Sequence, residues 1–170
     1  MAAQPQSLKA RALHWLAQRE HSRVELRRKL LRLARERLRA SPAAADVAAD
    51  ESDPAPKVDA LLDWLAANRF LSDARFVESR VNARSARYGN LRIRQELGQH
   101  AAVIDAATAE RLKDSELARA HAVWARKYGG ALASAPAERA RQMRFLSGRG
   151  FSADVIRRVV RGGAEPDELS

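Results

Sequence analysis

The sequence predicts an all-α protein made of tandem three-helix repeats, with about nine helices. Helix-forming residues dominate the 170-residue chain, and only 14 residues are β-branched. No stretch alternates apolar and polar residues with period two, as a half-buried strand would. The segments 21–30, 71–80 and 151–160 share a capping serine, nearby apolar residues and basic residues after them. Such repeated short helical units favour stacked three-helix modules.

The composition indicates a thin core. Hydrophobic residues make up 46% of the chain, but 35 of them are alanine, so a flat, open arrangement of helices suits the sequence better than one globule. The absence of cysteine excludes disulfide scaffolds and thiolate metal sites. No apolar run reaches the roughly 18–20 residues of a membrane span, and no secretory signal is visible. We therefore expect a cytoplasmic protein.

Residues 1–40 are predicted to hold the two basic N-terminal helices of repeat 1, at about 7–20 and 23–39. Ser22 followed three residues later by Glu25 has the form of a capping box for the second helix. Residues 41–56 contain three prolines, many alanines and several acids. This composition is typical of a flexible linker.

Residues 57–113 are predicted to hold the central helices, including repeat 2. We place helices at about 57–68, 73–87, 91–98 and 102–113, with Ser72 or Asp73 capping the second of them. At the Gly89–Asn90 pair, glycine suits the end of one helix and asparagine the N-cap of the next.

Residues 114–161 are predicted to form repeat 3, with helices at about 115–128 and 137–148 and a last helix capped by Ser152. Glycines at 129–130 and 148–150 punctuate these helices. Residues 162–170 are expected to be a disordered tail.

The sequence lacks the patterns that would indicate an enzyme. It contains no phosphate-binding loop, dinucleotide-binding glycine motif or serine nucleophile elbow. The four histidines stand singly, and the acids of the linker lack the glycine and glutamate of a calcium loop. We therefore predict no catalytic residue, no metal site and no cofactor.

Positive charge is the feature that points to a function. The net charge is +10, which favours a polyanionic partner, with nucleic acid the leading candidate. Arg28, Arg32, Arg35 and Arg39 are spaced to form one helical stripe, and Arg80, Arg84 and Arg87 form a second. Guanidinium groups suit DNA phosphates and also carboxylates of an acidic protein, so the sequence leaves both partners open.

Five segments together resemble the RecX family, the regulatory proteins of the bacterial recombinase RecA. They are REHSRVELRRKL (19–30), RFLSDARFVESRV (69–81), YGNLRIRQEL (88–97), ARKYGG (125–130) and RFLSGRGFSADVIRRVV (144–160). They follow the order of the family and cover most of the chain outside the linker.

The resemblance implies an elongated, curved array of three-helix repeats and a role in DNA repair, recombination and the SOS response. A RecX-like protein is expected to bind the RecA–DNA filament along its groove, to lower its ATPase, strand exchange and co-protease activities, and to cap its growth or promote its disassembly. The implied partners are the RecA filament and, weakly and without sequence preference, single-stranded DNA. We expect a monomer and no contact with a membrane.

The family motifs do not themselves supply contact residues, so the candidate site rests on electrostatics. The candidates are basic residues of the motif helices that would face a polyanionic groove: Arg28, Arg32, Arg35, Arg39, Arg80, Arg84, Arg87, Arg92, Arg94, Arg126, Lys127, Arg157 and Arg158.

Two alternatives of other classes remain open. One is a helix-turn-helix-like DNA-binding protein that acts without RecA and uses residues 91–97 as its recognition helix. The other is a helical adaptor that binds an acidic protein and never contacts DNA. Affinity for naked single-stranded DNA across a range of salt concentrations separates the two.

Overall fold

Helices are the only regular secondary structure in the part of the chain that the structure describes. The structure is a computed structural model, which describes residues 7–40 and 53–162. It confirms the all-α prediction for these residues. The eight helices are α1 Leu8–Gln18, α2 Arg23–Ala40, α3 Ala55–Ala67, α4 Asp73–Ser85, α5 Asn90–Gly98, α6 Ala106–Tyr128, α7 Pro136–Gly148 and α8 Ala153–Val160.

Two predicted features fall mostly on residues that the structure does not describe. Most of the predicted acidic linker (41–52) and nearly all of the predicted disordered tail (163–170) lie outside the described residues. The end of the predicted linker is already helical, because α3 begins at Ala55 with proline in its first turn. Proline is well tolerated there, since the first backbone N–H groups of a helix have no partner within it.

The predicted break near residue 114 is wrong, and this accounts for eight described helices in place of about nine. A single helix, α6, spans the two predicted at 102–113 and 115–128. The Ser115 hydroxyl donates to the Arg111 carbonyl at 2.7 Å, which bonds the serine back to the preceding turn of the same helix. The true start is at Asp105, whose carboxylate accepts from the Thr108 N–H at 2.8 Å.

Serine caps predicted from local spacing are present at α2 and α4. The Ser22 hydroxyl accepts from the Glu25 N–H at 3.1 Å, and Ser72 accepts from the Arg75 N–H at 3.3 Å. The second half of the predicted capping box is wrong, because the Glu25 carboxylate pairs with Arg19 instead of reaching back along the chain. The guanidinium offers it a stronger, charge-assisted partner.

The chain divides into two compact units, each with an apolar core. Unit 1 comprises residues 1–76 and 100–102, and unit 2 comprises residues 77–99 and 103–170. In unit 1, α1 and α3 pack on α2 around Ala12, Leu26, Leu30, Val58, Leu62 and Leu65.

The core of unit 2 is built by α6, α7 and α8. Its buried residues include Trp124, Leu146, Phe151, Ile156 and Val159. The indole N–H of Trp124 donates to the Gln142 side chain at 2.9 Å, so the largest buried side chain has its polar atom satisfied. The limited stock of large apolar residues therefore serves two small cores.

Candidate functional site

The α2 arginines lie on the surface of unit 1. Arg28, Arg32, Arg35 and Arg39 are all exposed and border an open concavity of about 590 Å³. The Arg32 Nε lies 3.8 Å from a Glu36 carboxylate oxygen. The other three arginines make no ion pair with any residue that the structure describes. This stripe therefore has the exposure that a binding role requires.

The predicted α4 stripe is not a continuous helical stripe. Arg80 and Arg84 lie on α4, but the helix ends at Ser85 and Arg87 lies in the following turn. The Arg84 Nε is 2.9 Å from a Glu96 carboxylate oxygen on α5. Arg87 therefore lies beyond the helix and does not continue the line of Arg80 and Arg84.

Three arginines of unit 2 surround the aromatic ring of Tyr88. The guanidinium carbon of Arg92 lies 4.7 Å from the ring centroid, and those of Arg84 and Arg149 each lie 5.6 Å from it. A cation at this distance is attracted to the ring by its quadrupole. The ring therefore holds three like charges close together, and Glu96 compensates two of them, Arg84 and Arg92.

A small basic cleft adjoins these arginines. Its volume is about 160 Å³, and Val123 and Phe145 contribute apolar lining beside four cationic side chains: Arg87, Arg126, Lys127 and Arg149. Arg126 and Lys127 occupy the last turn of α6, where a positive charge is favourable to the helix dipole. We call the combined group the Tyr88 cluster, which consists of Arg84, Arg87, Tyr88, Arg92, Arg126, Lys127 and Arg149.

A close backbone contact holds two segments of the cluster together. The Gly89 N–H donates to the Arg149 carbonyl at 2.9 Å, and the Leu91 N–H donates to the Gly150 carbonyl at 3.0 Å. A Cβ on Gly89 would lie 2.2 Å from the Gly150 carbonyl oxygen. Only glycine fits at position 89, so the sequence motif at 88–90 is explained by this contact.

A buried carboxylate fixes the start of α5 and of α8 together. Glu116 is 5% exposed, and its carboxylate accepts from the Asn90 N–H at 2.9 Å and from the Ser152 hydroxyl at 3.0 Å. This corrects two predictions. Asn90 is the first residue of α5, after Gly89 at the N-cap, and the Ser152 side chain does not cap its own helix.

Arg119 fixes the segment that carries Arg87 and Tyr88. Its guanidinium donates to the carbonyls of Ser85 at 3.2 Å and Tyr88 at 2.8 Å. Burial lowers the pKa of Arg119, and the nearby Glu116 carboxylate opposes that shift. The buried Glu116 carboxylate and the partly buried Arg119 guanidinium thus hold the backbone of the segment that carries the exposed Arg87.

The remaining predicted site residues lie apart from these contacts. Arg94 is exposed on α5 and makes no ion pair among the described residues. On α8, a guanidinium nitrogen of Arg157 lies 3.4 Å from a carboxylate oxygen of Asp154, and Arg158 is exposed. Among the described residues, no hydrogen bond, ion pair or cation–ring contact joins these three to the Tyr88 cluster.

Sequence reasoning missed Tyr88 and Arg149 as members of a basic cluster. Arg149 stands between Gly148 and Gly150, a pattern that by itself indicates only a helix stop. Two sequence features point to these residues. Arg149 is an arginine flanked by glycines, and Tyr88 precedes a glycine in another of the family motifs.

Other classes of site find no support in residues 7–40 and 53–162. Among them, no group of three or more histidine, aspartate and glutamate side chains is arranged to hold a metal ion. None of the helices described there has the length and apolar character to cross a membrane.

Comparison with known proteins identifies the family. The family model for the third three-helix domain of RecX matches residues 114–160, and the model for the second matches residues 72–107. The regulatory protein RecX of Ralstonia nicotianae is 45% identical over 94% of this chain and 89% of its own length.

Two further relatives carry the same name. RecX of Herminiimonas arsenicoxydans is 45% identical over 99% of this chain and its full length, and that of Leptothrix cholodnii is 46% identical over 91% of this chain and 88% of its own length. The resemblance found in the sequence is therefore confirmed, and the chain belongs to the RecX family of regulatory proteins.

Proposed function

We propose that this protein is a negative regulator of the RecA recombinase that binds the RecA–DNA filament. Membership of the RecX family supports RecA as the partner. The Tyr88 cluster is the single structural observation that carries the binding role, because it concentrates six cationic side chains from separate elements of unit 2. The phosphates of the DNA in the filament carry the complementary charge.

The cluster is organised before any partner arrives. Glu116 and Arg119 fix the backbone of residues 85–90, and the Gly89–Arg149 hydrogen bond joins that segment to the turn before α8. Preorganised cations lose less conformational entropy when they bind phosphate than flexible surface arginines do. Arginine also offers a planar fork that fits a phosphate group.

Occupation of the filament accounts for regulation without chemistry by this protein. A molecule bound along the groove obstructs strand exchange and access of co-protease substrates, and a molecule at the filament end stops growth. Either mode lowers the ATPase activity of RecA. The regulator is thus a binding protein and not an enzyme, and it acts in the cytoplasm as a monomer.

The test is co-sedimentation with preformed RecA–single-stranded DNA filaments. The variant Arg87→Glu/Arg126→Glu/Lys127→Glu reverses three cations of the Tyr88 cluster, none of which forms an ion pair within the described structure. Its matched control is Lys57→Glu/Arg144→Glu/Arg161→Glu, which reverses three exposed cations elsewhere. We expect the first variant to lose at least about tenfold in filament affinity, as three phosphate contacts are replaced by repulsion. Equal losses of filament affinity in both variants would show that the effect comes from net charge alone and would contradict the proposal.

The second candidate is a DNA-binding protein that acts without RecA and reads DNA with α5. The observation in its favour is the exposure of Leu91, Arg94 and Gln95 on that helix. It requires sequence-selective binding to duplex DNA alone, whereas phosphate-driven binding is nonselective and weakens steeply with salt. Absence of binding to naked DNA at low salt removes this candidate.

A further inference from the structure

A mixed apolar and basic face runs along α2 in unit 1. Its residues are Val24, Arg28, Leu31, Arg35 and Leu38, spaced alternately by four and three positions. At about 100° per residue, this spacing places all five within a stripe roughly 80° wide. We call it the mixed face of α2.

The apolar members of this face are not all covered by unit 1. Val24 is 44% exposed and Leu38 is 36% exposed. Leu31 is 8% exposed and borders the same open concavity as Val24. Leu31 also belongs to the core of unit 1, together with Leu26 and Leu30 of the neighbouring face of α2. The helix therefore has an apolar strip in which Val24 and Leu38 stay exposed among the described residues, while Leu31 between them is nearly buried.

Arginines border this strip on the side away from α3. Arg28, Arg35 and Arg39 are exposed and form no ion pair within residues 7–40 and 53–162. On the other side, the Arg27 guanidinium makes two hydrogen bonds to the Asp59 carboxylate of α3, at 2.6 and 2.9 Å. That side of α2 is closed by α3, while the side carrying the unpaired arginines is open.

We propose that the mixed face of α2 docks an acidic amphipathic helix of a partner protein. An apolar side chain every seven residues, at 24, 31 and 38, matches the seam that one helix offers to another. Arg28 and Arg35 stand beside that seam, where glutamates flanking the seam of the partner would meet them. The face extends about 21 Å, which corresponds to four turns of a partner helix.

Charge complementarity and the apolar strip together favour protein over nucleic acid at this face. A sugar–phosphate backbone would satisfy the arginines but would leave the exposed Val24 and Leu38 against charged phosphates. An acidic amphipathic helix satisfies the arginines with carboxylates and also removes the apolar side chains from water. The inference goes beyond the proposed function, because it assigns unit 1 a protein contact that is separate from the Tyr88 cluster of unit 2.

The probe is a synthetic fluorescent peptide of about three heptads, with leucine at the two seam positions and glutamate at the flanking positions. Its binding to the full-length protein is measured by fluorescence anisotropy, in parallel with a labelled oligothymidylate. Three variants are compared with the wild type: Arg28→Gln/Arg35→Gln, Val24→Gln/Leu38→Gln, and the control Arg144→Gln/Arg161→Gln. The substituted side chains are exposed, and far-UV circular dichroism verifies that helicity is unchanged.

Both α2 variants are expected to bind the peptide at least about tenfold more weakly than the wild type, since buried arginine and apolar anchors each contribute strongly to an interface. The control is expected to bind the peptide as the wild type does. Oligothymidylate affinity is expected to stay within about twofold in the Val24→Gln/Leu38→Gln variant, because phosphates do not use apolar anchors.

Two results would overturn the inference. One is a wild-type protein that does not bind the peptide. The other is an Arg28→Gln/Arg35→Gln variant that loses more affinity for oligothymidylate than for the peptide, which would assign the face to nucleic acid. Either result leaves the proposed function standing if reversal of Arg87, Arg126 and Lys127 still weakens filament binding by at least about tenfold, so the two failures are distinguishable.

Discussion

The Glu116 carboxylate of α6 accepts a 2.9 Å hydrogen bond from the backbone N–H of Asn90, the first residue of α5. It also accepts from the backbone N–H and the hydroxyl of Ser152, which precedes α8. One buried side chain thus satisfies unpaired donors at two helix starts. A carboxylate is well suited to this position because the N-terminus of a helix carries partial positive charge.

Replacement of Glu116 by alanine is expected to lower the free energy of unfolding by about 3 kcal/mol. The substitution leaves buried donors of Asn90 and Ser152 without an acceptor and removes the opposite charge near Arg119. The measurement is urea unfolding followed by circular dichroism. Glu110→Ala on the same helix is the control, because its surface ion pair with Lys113 contributes little. Equal midpoints for the two variants would contradict the capping role of Glu116.

Replacement of Gly89 by alanine is expected to separate the start of α5 from the turn at 149–151. The new Cβ would lie 2.2 Å from the Gly150 carbonyl oxygen, and overpacking of this kind costs about 1–3 kcal/mol or more. Filament binding is expected to fall as well, because Arg92 and Arg149 lose their relative positions. Gly98→Ala is the matched control, since a Cβ at position 98 would point into open space. A Gly89→Ala variant as stable and as active as that control would refute the close-contact explanation.

Replacement of Ser22 by alanine is expected to cost about 0.5–2 kcal/mol, because the Glu25 N–H loses its side-chain acceptor. The readout is the shift of the urea midpoint. Ser79→Ala provides the comparison, as Ser79 is exposed within α4. An unchanged midpoint for Ser22→Ala would show that the cap contributes nothing to stability.

Stability is expected to fall as the pH drops below the ordinary pKa of histidine, in part through His21. This ring is buried; its Nδ1 bonds the Arg19 carbonyl at 2.9 Å and its Nε2 lies 3.1 Å from Lys29 Nζ. Burial lowers the pKa of His21. The hydrogen bond to the Arg19 carbonyl and the charge of Glu25 oppose that shift, while the charges of Arg19 and Lys29 add to it. The unfolded chain therefore binds a proton at a higher pH than the folded protein does, and stability present above about pH 6.5 is lost below it.

The measurement compares the free energy of unfolding at pH 7.5 and pH 5.5 in the wild type and in His21→Gln. The other three histidines are common to both proteins, so the difference isolates His21. A smaller loss of stability in His21→Gln is expected. An identical pH dependence in the two proteins would contradict a neutral, buried His21.

The local features of the fold could be predicted from the sequence, whereas long-range features could not. Ser22 and Ser72 act within three residues of themselves, so spacing alone identifies their caps. The partners of Asn90 and Ser152 escape a local pattern because Glu116 lies 26 and 36 positions away from them. The break predicted between 113 and 115 is absent, and the Ser115 hydroxyl bonds the preceding turn of its own helix.

The candidate site shows the same division. Charge and motif position are enough to select Arg84, Arg87 and Arg92, but not to show that Arg84 and Arg92 meet at one aromatic ring. The approach of Arg149 to the same ring accompanies the tertiary contact between Gly89 and Arg149, which no local pattern encodes.

The most direct test of the account is the single-stranded-DNA-dependent ATPase activity of the cognate RecA, titrated with this protein well below equimolar amounts. Strong inhibition is expected for the wild type, because a few molecules bound to a filament affect many RecA subunits. Inhibition is expected to be lost in Arg87→Glu/Arg126→Glu/Lys127→Glu. It is expected to be retained in the matched control Lys57→Glu/Arg144→Glu/Arg161→Glu. No inhibition by the wild type at any ratio, with naked DNA still bound, would contradict the account and leave a DNA-binding protein that acts without RecA.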